Sequence, residues 1–263
     1  MSGTGVTSRT HEEVVTDQFG PRAADYVASA VHATGEDLQQ LAAIVRGRGD
    51  AHALDLGCGG GHVSFTVAPE LAGVTAYDLS ADMLAAVGAE AARRGLTNIT
   101  TRQGPAEQLP FDDASFDFVL TRFSAHHWRD LPAALREAHR VTKPGGRAVF
   151  MDVVSPGPPL LDTFLQAVEL LRDPSHMRDY TIEEWTAAVR TAGFTPGPVT
   201  RRRLHLDFST WITRMRTPQL HVAAIRSLQQ KASQDVVRHF AIESDGTFSV
   251  DTMALEATKP PAP

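Results

Sequence analysis

The sequence predicts an α/β fold: a mostly parallel sheet with helices on both faces. Three observations carry that expectation. From residue 50 to about residue 155, short apolar or β-branched runs alternate with stretches whose apolar residues recur at helical spacing. The segments joining those runs are long enough for right-handed crossovers rather than hairpins. The first run ends in Asp55-Leu56-Gly57-Cys58-Gly59-Gly60-Gly61, and in such folds ligands bind where the strands reach their carboxyl ends.

Taken in order, a helical segment is expected around residues 18–31, followed by a helix that places Leu38, Leu41 and Val45 on one face and ends near Gly47. Strands are expected at 51–56, 74–78, 99–103, 116–121 and 147–154, each bounded by Gly, Pro, Asp or Ser. Between the second and third strands, Ser80 can cap a helix whose Leu84, Val87 and Ala91 share a face and which Gly95 can end. Between the fourth and fifth, Pro132 suits a first helical turn, Leu135, Ala138 and Val141 line one face, and Lys143-Pro144-Gly145-Gly146 stops the helix. Pro156-Gly157-Pro158-Pro159 then breaks the pattern. Residues 156–180 read as an insertion above the sheet, with a helix carrying Phe164, Val168 and Leu171, and a further helix spans 182–191 before Gly193. A sixth strand is expected at 199–208, helix over 209–241, a last strand at 247–257 and a frayed tail.

The chain has 263 residues, against roughly 150 per domain, and no internal repeat, so one domain is expected over 1–263. Its parts would be cap helices in 1–50, a cofactor-binding core in 51–155, an insertion and helix in 156–192, and C-terminal strands with a helical insertion in 193–263. Apolar residues make up 42%, enough for a sizeable core, which excludes disordered and fibrous classes. Acidic residues outnumber basic ones 31 to 25, for a formal charge of −6, so no net positive field exists to hold a nucleic-acid backbone. Arg201-Arg202-Arg203 is the one basic cluster, and reads as a solvated turn or strand edge or else as a binding patch. The single cysteine, Cys58, excludes an internal disulfide and any multi-cysteine zinc site, and no metal site is read. Glu12 and Glu13 stand where a signal peptide would be apolar, and no run of 18 apolar residues occurs. A cytoplasmic protein without membrane association is expected.

The glycine loop narrows the chemistry. A dinucleotide fingerprint, GxGxxG, needs glycine where His62 stands, and a P-loop needs Lys-Ser or Lys-Thr after its glycines. What fits is apolar-apolar-Asp-x-Gly-x-Gly-x-Gly, with an acidic residue, Asp78, ending the next strand. This resembles the class I S-adenosylmethionine-dependent methyltransferases. The resemblance extends through Val74-Thr75-Ala76-Tyr77-Asp78-Leu79-Ser80 with Met83-Leu84, and through Arg102-Gln103-Gly104-Pro105-Ala106-Glu107-Gln108-Leu109-Pro110-Phe111. Phe116-Asp117-Phe118-Val119 and Arg140-Val141-Thr142-Lys143-Pro144-Gly145-Gly146 continue it. Residues 18 to about 195 look most like the branch that includes the ubiquinone and menaquinone biosynthetic methyltransferases and bacterial relatives with no assigned substrate.

The resemblance implies strand order 3-2-1-4-5-7-6 with the seventh strand antiparallel, and S-adenosyl-L-methionine as cofactor. It places Gly57, Cys58, Gly59 and Gly61 under the cofactor's amino acid and sugar, with Asp55 supporting the loop or the ammonium group. Asp78 would accept both ribose hydroxyls, since a carboxylate can accept two hydrogen bonds at once. Leu79 and Met83 would flank the adenine, and the backbone at Gly104, Pro105 and Ala106 would read its edge. Pro105 stands where many relatives carry Asp. The backbone of Arg122 would meet the ammonium group, Phe123 would line the pocket, and Gln18-Phe19-Gly20 with Ala23 and Tyr26 resembles an entry segment closing over the cofactor. Plainer readings exist: Asp78 as a helix cap, Met83 as core, Cys58 as a small loop filler.

Methyl transfer needs alignment, a dry pocket and, when the nucleophile carries a proton, a base. His126 and His127 follow the fourth strand, where the methyl group would sit; as sequence neighbours they point in different directions and make a poor metal pair. Relatives resembling this motif tend to place the second position nearer the cofactor, which favours His127 over His126 as the base; a packed structural role is the plainer reading of either. His176, Arg178 and Tyr180 in the insertion, and Arg214 and Met215 in the late helical region, are candidates for a planar, moderately polar acceptor, or a solvated helix face beside a small core. The expected activity is methylation of a small aromatic or heteroaromatic molecule at O, N or C, by a monomer or homodimer. A non-catalytic cofactor-binding regulator or partner subunit is the competing reading, because fold alone does not settle function.

Overall fold

The computed structural model describes residues 8–23 and 35–261. Strands β1 (Arg48–Leu56), β2 (Leu71–Asp78), β3 (Ile99–Gln103), β4 (Phe116–Arg122), β5 (Thr142–Val153), β6 (Thr195–Leu206) and β7 (Phe248–Thr258) form one sheet in the order β3-β2-β1-β4-β5-β7-β6. All neighbours pair in parallel except β7, which runs antiparallel to both β5 and β6. The expected order and the reversal of the seventh strand both hold.

Central strands must be apolar on both faces, and β1 is: Ala53, Leu54 and Leu56 are almost fully buried. Because side chains alternate, adjacent positions feed opposite cores. Leu54, Leu56, Val119 and Phe150 pack against helices α5 (Leu131–Val141) and α7 (Ile182–Thr191) through Leu135, Ala138, Trp185 and Val189. Ala53, Phe118, Leu120 and Val149 pack on the other face against α2 (Glu36–Val45) and α3 (His62–Val67) through Leu38, Leu41, Val45 and Val63. Helix α4 (Ala81–Arg93) buries Leu84, Val87 and Ala91 as its spacing predicts.

Several boundaries differ from expectation. The helix expected at 18–31 instead begins upstream: α1 spans His11–Phe19, and Gly20–Arg22 forms a 3-10 turn. A capping box opens α1, with the Thr10 side chain accepting from Glu13 N–H and the Glu13 side chain accepting from Thr10 N–H. The rest of the expected segment, Tyr26 included, lies outside the described residues. Lys143-Pro144-Gly145-Gly146 does end α5, but it belongs to β5, because Gly145 N–H donates to Lys259 O and Lys259 N–H donates to Gly146 O. The sixth strand stops at Leu206 because Asp207 caps α8 (Phe208–Met215), its Oδ1 accepting from Thr210 N–H at 2.7 Å. Pro218 and Ser233 begin two more helices, α9 (Gln219–Lys231) and α10 (Gln234–Phe240), where one helical region was expected. With α6 (Pro159–Arg172) and Phe248 and Val250 of β7, these helices build a separate apolar cluster around Phe164, Trp211 and Phe240. Among the described residues, no helix is long and apolar enough to cross a membrane.

Candidate active site

The site begins where β1 ends. Asp55 is 1% exposed, and its Oδ2 accepts from the Ser64 backbone N–H at 2.9 Å and from Ser64 Oγ at 2.6 Å, which ties the strand to the first turns of α3. Burial, opposed by those bonds, pushes the Asp55 carboxyl up to about 7. Gly57 and Cys58 donate backbone N–H groups to Tyr77 O at 2.8 and 2.9 Å, so the loop hangs on β2. At Gly57, φ is +72° and the Ser124 hydroxyl occupies the space a Cβ would take, so only glycine fits. A Cβ at Gly59 would meet nothing within 4 Å, so the backbone there faces open cavity. The Cys58 thiol is buried and its pKa pushed up by that burial, in keeping with a small loop filler.

Asp78, at the end of β2, faces the loop. Its Oδ2 accepts from Gly59 N–H at 2.9 Å and its Oδ1 from Ser80 N–H at 2.9 Å, leaving a lone pair on each oxygen. Burial raises its pKa, and the backbone N–H groups of Ser80, Gly59 and Leu79 pull it back down. The helix cap is Ser80, whose hydroxyl accepts from Met83 N–H. The cavity wall continues through Leu79, Met83, Gly104, Pro105 and Ala106, and the Tyr77 hydroxyl donates to Pro105 O at 3.1 Å. Gly61 stands apart: it is the N-cap of α3, in the left-handed region, packed on Phe65 and Val87 behind the cavity.

Beyond β4 the backbone is strained. Phe123 has φ +53°, held there by its N–H donating to Met151 O at 2.8 Å, and a 3-10 turn over Ala125–His127 follows. Phe19, Arg122, Phe123 and His127 thereby line two cavities at once, the one just described and a second bounded by β5, β6, α6 and α8. The Arg122 side chain is committed to a buried ion pair with Asp37 and lies 4.7 Å over the Phe123 ring.

The two histidines part company here. His127 Nδ1 lies 3.1 Å from Ser175 O, which can only accept, so this nitrogen carries the proton and Nε2 is left as an acceptor. Burial first, then the charge of His126, holds its pKa down to about 4, and the ring is neutral at pH 7. His126 lines only the second cavity. Its Nδ1 lies 2.6 Å from Asp152 Oδ1 and its backbone N–H donates to Asp152 Oδ2 at 3.1 Å. Burial works against the charged ring, yet Asp152 overcomes it and pushes the pKa up to about 9. At neutral pH His126 is therefore an imidazolium, and it has no lone pair for base work.

Of the expected acceptor-side residues, Arg214 lines the second cavity, together with Trp211. His176, Arg178, Tyr180 and Met215 line neither. His176 is buried with Nε2 3.0 Å from Gln166 Oε1; Arg178 pairs with Glu184 and Asp162 over the Tyr180 ring; Tyr180 packs on Trp185; Met215 is buried, its carbonyl accepting from Arg22. Side-chain type alone points to each; the turns of the insertion instead aim His176 and Tyr180 into the framework and Arg178 at surface carboxylates, while α8 buries Met215. The arginines at 201–203 sit on the edge strand β6, with Arg202 bonded to Gln40 and Arg203 to Asp251. The contribution of α1 was not anticipated: His11, Glu12 and Val15 line the first cavity, and His11 Nε2 lies 2.9 Å from His127 O. The Thr10-x-x-Glu13 capping box was the signal for that helix.

Residues 54–150 match the methyltransferase domain family. The uncharacterised protein YafE of Escherichia coli is 50% identical over 199 residues, 76% of this chain and 96% of that one. The uncharacterised methyltransferase YcgJ of Bacillus subtilis is 34% identical over 200 residues, 76% of this chain and 79% of that one. The YcgJ crystal structure superposes with a TM-score of 0.83 at 28% identity, covering 86% of this chain and 99% of that one. The demethylmenaquinone methyltransferase of Chlorobaculum parvum is 37% identical over 118 residues, 44% of this chain and 47% of that one.

Proposed function

Because this chain belongs to the S-adenosylmethionine-dependent methyltransferases, we propose that it methylates a small aromatic or heteroaromatic molecule, with the cofactor in the first cavity and the acceptor in the second. The observation that carries this reading is the shared wall: His127 and Phe123 face both cavities, so groups bound on either side meet there. The first cavity fits the cofactor. Gly59 leaves backbone open to it, and Asp78 keeps one lone pair on each oxygen for a ribose diol. When bound, S-adenosylmethionine supplies a methyl group on a sulfonium that a nucleophile displaces in line.

The chain's residues do the rest. Asp78 accepts the ribose hydroxyls, Asp55 holds the glycine loop, and Leu79 and Met83 flank the adenine, with Pro105 and Ala106 at its edge. The Arg122 backbone faces the ammonium group while its side chain stays with Asp37. Helix α1 lies over the cavity and excludes water through Val15 and Phe19. His127 takes the proton of an acceptor O–H or N–H on Nε2, and the Nδ1–H bond to Ser175 keeps the ring aimed. Phe19, Phe123 and Trp211 supply flat apolar surface, and Arg214 a charged edge, which suits a planar acceptor of moderate polarity. Residues 51–155 carry the cofactor within a single domain, α1 closes over it, and α2, α6, α8 and β6 surround the acceptor; the setting is the cytoplasm.

The test is methyl transfer from labelled S-adenosylmethionine across a panel of phenols, quinols and nitrogen heterocycles. Transfer to at least one class supports the proposal. Binding of the cofactor with no transfer to any of them would favour a regulatory role for the same fold.

A further inference from the structure

We infer that His126, Asp152 and Asp179 bind a divalent first-row cation at the wall of the second cavity. The inference deepens the acceptor-side reading above, but its test requires no methyl transfer. One ligand atom from each of the three residues lies within 4.8 Å of the others. Metal–ligand bonds of about 2.0–2.4 Å hold atoms around one ion roughly 3–4.8 Å apart, so these atoms need little movement to share one.

The second observation is Asp179. It is 2% exposed, lines the second cavity, and its Oδ2 has no hydrogen-bond partner among the described residues. The neighbouring His176 Nε2, 3.8 Å away, is directed instead at Gln166 Oε1. Even the Asp179 backbone N–H donates to Gln166 rather than supporting the carboxyl group. Arg172, lining the same cavity, is occupied by Trp211 O and by Glu169. Among the described residues, Asp152, 1% exposed, has only His126 and Val153 N–H as donors. Two buried carboxyl groups thus converge on one imidazole.

A cation completes the set. One imidazole nitrogen and two carboxylate oxygens suit Mn²⁺ or Zn²⁺ better than a soft ion. Loading releases the proton of His126, together with any proton on Asp179, to solvent. Three protein ligands leave coordination positions on the cavity side, where an acceptor's hydroxyl or carboxylate oxygen can bind. A coordinated hydroxyl loses its proton more readily, and His127 stands next in the chain to receive it.

The protein is stripped with a chelator, then titrated with MnCl₂ or ZnCl₂ alone at fixed pH, by calorimetry and, for Mn²⁺, by paramagnetic resonance. One saturable Mn²⁺ or Zn²⁺ per chain is expected, weakened at least about 10-fold in Asp179→Asn, since losing a ligand costs no less than losing a group that merely orients one. Asp152→Asn should behave alike if the first variant does not fold. Absence of saturable binding in the wild type, or equal binding in a folded Asp179→Asn or Asp152→Asn protein, would overturn the inference. S-adenosylhomocysteine binding to the stripped wild type tests the cofactor reading separately, so failure of one leaves the other standing.

Discussion

Replacing Asp78 with Ala should cost the cofactor most of its ribose recognition. In the structure each carboxylate oxygen already accepts one backbone N–H, from Gly59 on one side and Ser80 on the other, and each has one lone pair left. A hydrogen bond to a charged group contributes about 1.5–3 kcal/mol. Water enters the space left in Asp78→Ala and recovers part of two such bonds, so the net loss should stay near 1.5–3 kcal/mol, roughly 10- to 150-fold in Kd. The same substitution unties Gly59, so Asp78→Asn is the control. Its carboxamide oxygen can keep the Gly59 bond while the negative charge is lost, and it should fall between wild type and Asp78→Ala. Calorimetric titration with S-adenosylhomocysteine reads the effect, and thermal melting confirms that each variant is folded. An Asp78→Ala protein that binds within twofold of wild type would refute the assignment and place the ribose elsewhere.

The other predictions follow from the same contacts. His127→Asn can keep a donor to Ser175 O but loses the acceptor nitrogen, so turnover at saturating cofactor should drop by about 10²–10⁴ while the melting temperature and S-adenosylhomocysteine affinity hold; unchanged turnover would mean an acceptor that arrives deprotonated or a different base. Asp55 titrates near 7 when folded against 3.8 when unfolded. Between those values the native state holds a proton that the unfolded chain has lost, so stability falls as pH rises, by up to about 1.4 kcal/mol per unit. Urea melts at pH 5 and pH 8 should therefore show Asp55→Asn gaining on wild type at the higher pH, and parallel curves would contradict the burial argument. Amide exchange in α1, residues 11–19, should slow when S-adenosylhomocysteine is added, because His11, Glu12, Val15 and Phe19 wall its cavity. Equal exchange with and without ligand would remove the helix from the site.

Much of this was legible because it is local. Strands β1, β2, β4 and β5 carry apolar runs a few residues long, as burial in a parallel sheet demands, while the edge strand β3 shows only as the β-branched run Ile99-Thr100-Thr101. The glycine loop was legible for a similar reason, since a left-handed φ and a close approach such as that of Ser124 to Gly57 admit one residue type. Asp78 followed from its position at a strand end opposite that loop. The misplaced boundaries, at α1 and at Thr142, came where capping and pairing at a strand's end outweigh apolar periodicity.

The sequence by itself therefore determined the strands of the sheet, most of its helices and the glycine loop with Asp78, since periodicity and backbone sterics act within a few residues. It did not determine which histidine could work as a base. His126 and His127 are adjacent and chemically identical, and they differ because Asp152 charges one while Ser175 O fixes the tautomer of the other, contacts 26 and 48 residues away in the chain. Nor did it reveal that His176 and Tyr180 point into the framework while Asp179, between them, turns a buried carboxyl group toward the second cavity. Partners brought together only by the folded chain set the charge, tautomer and direction of those side chains, because burial strengthens each neighbour's field and removes the water that would otherwise level such differences.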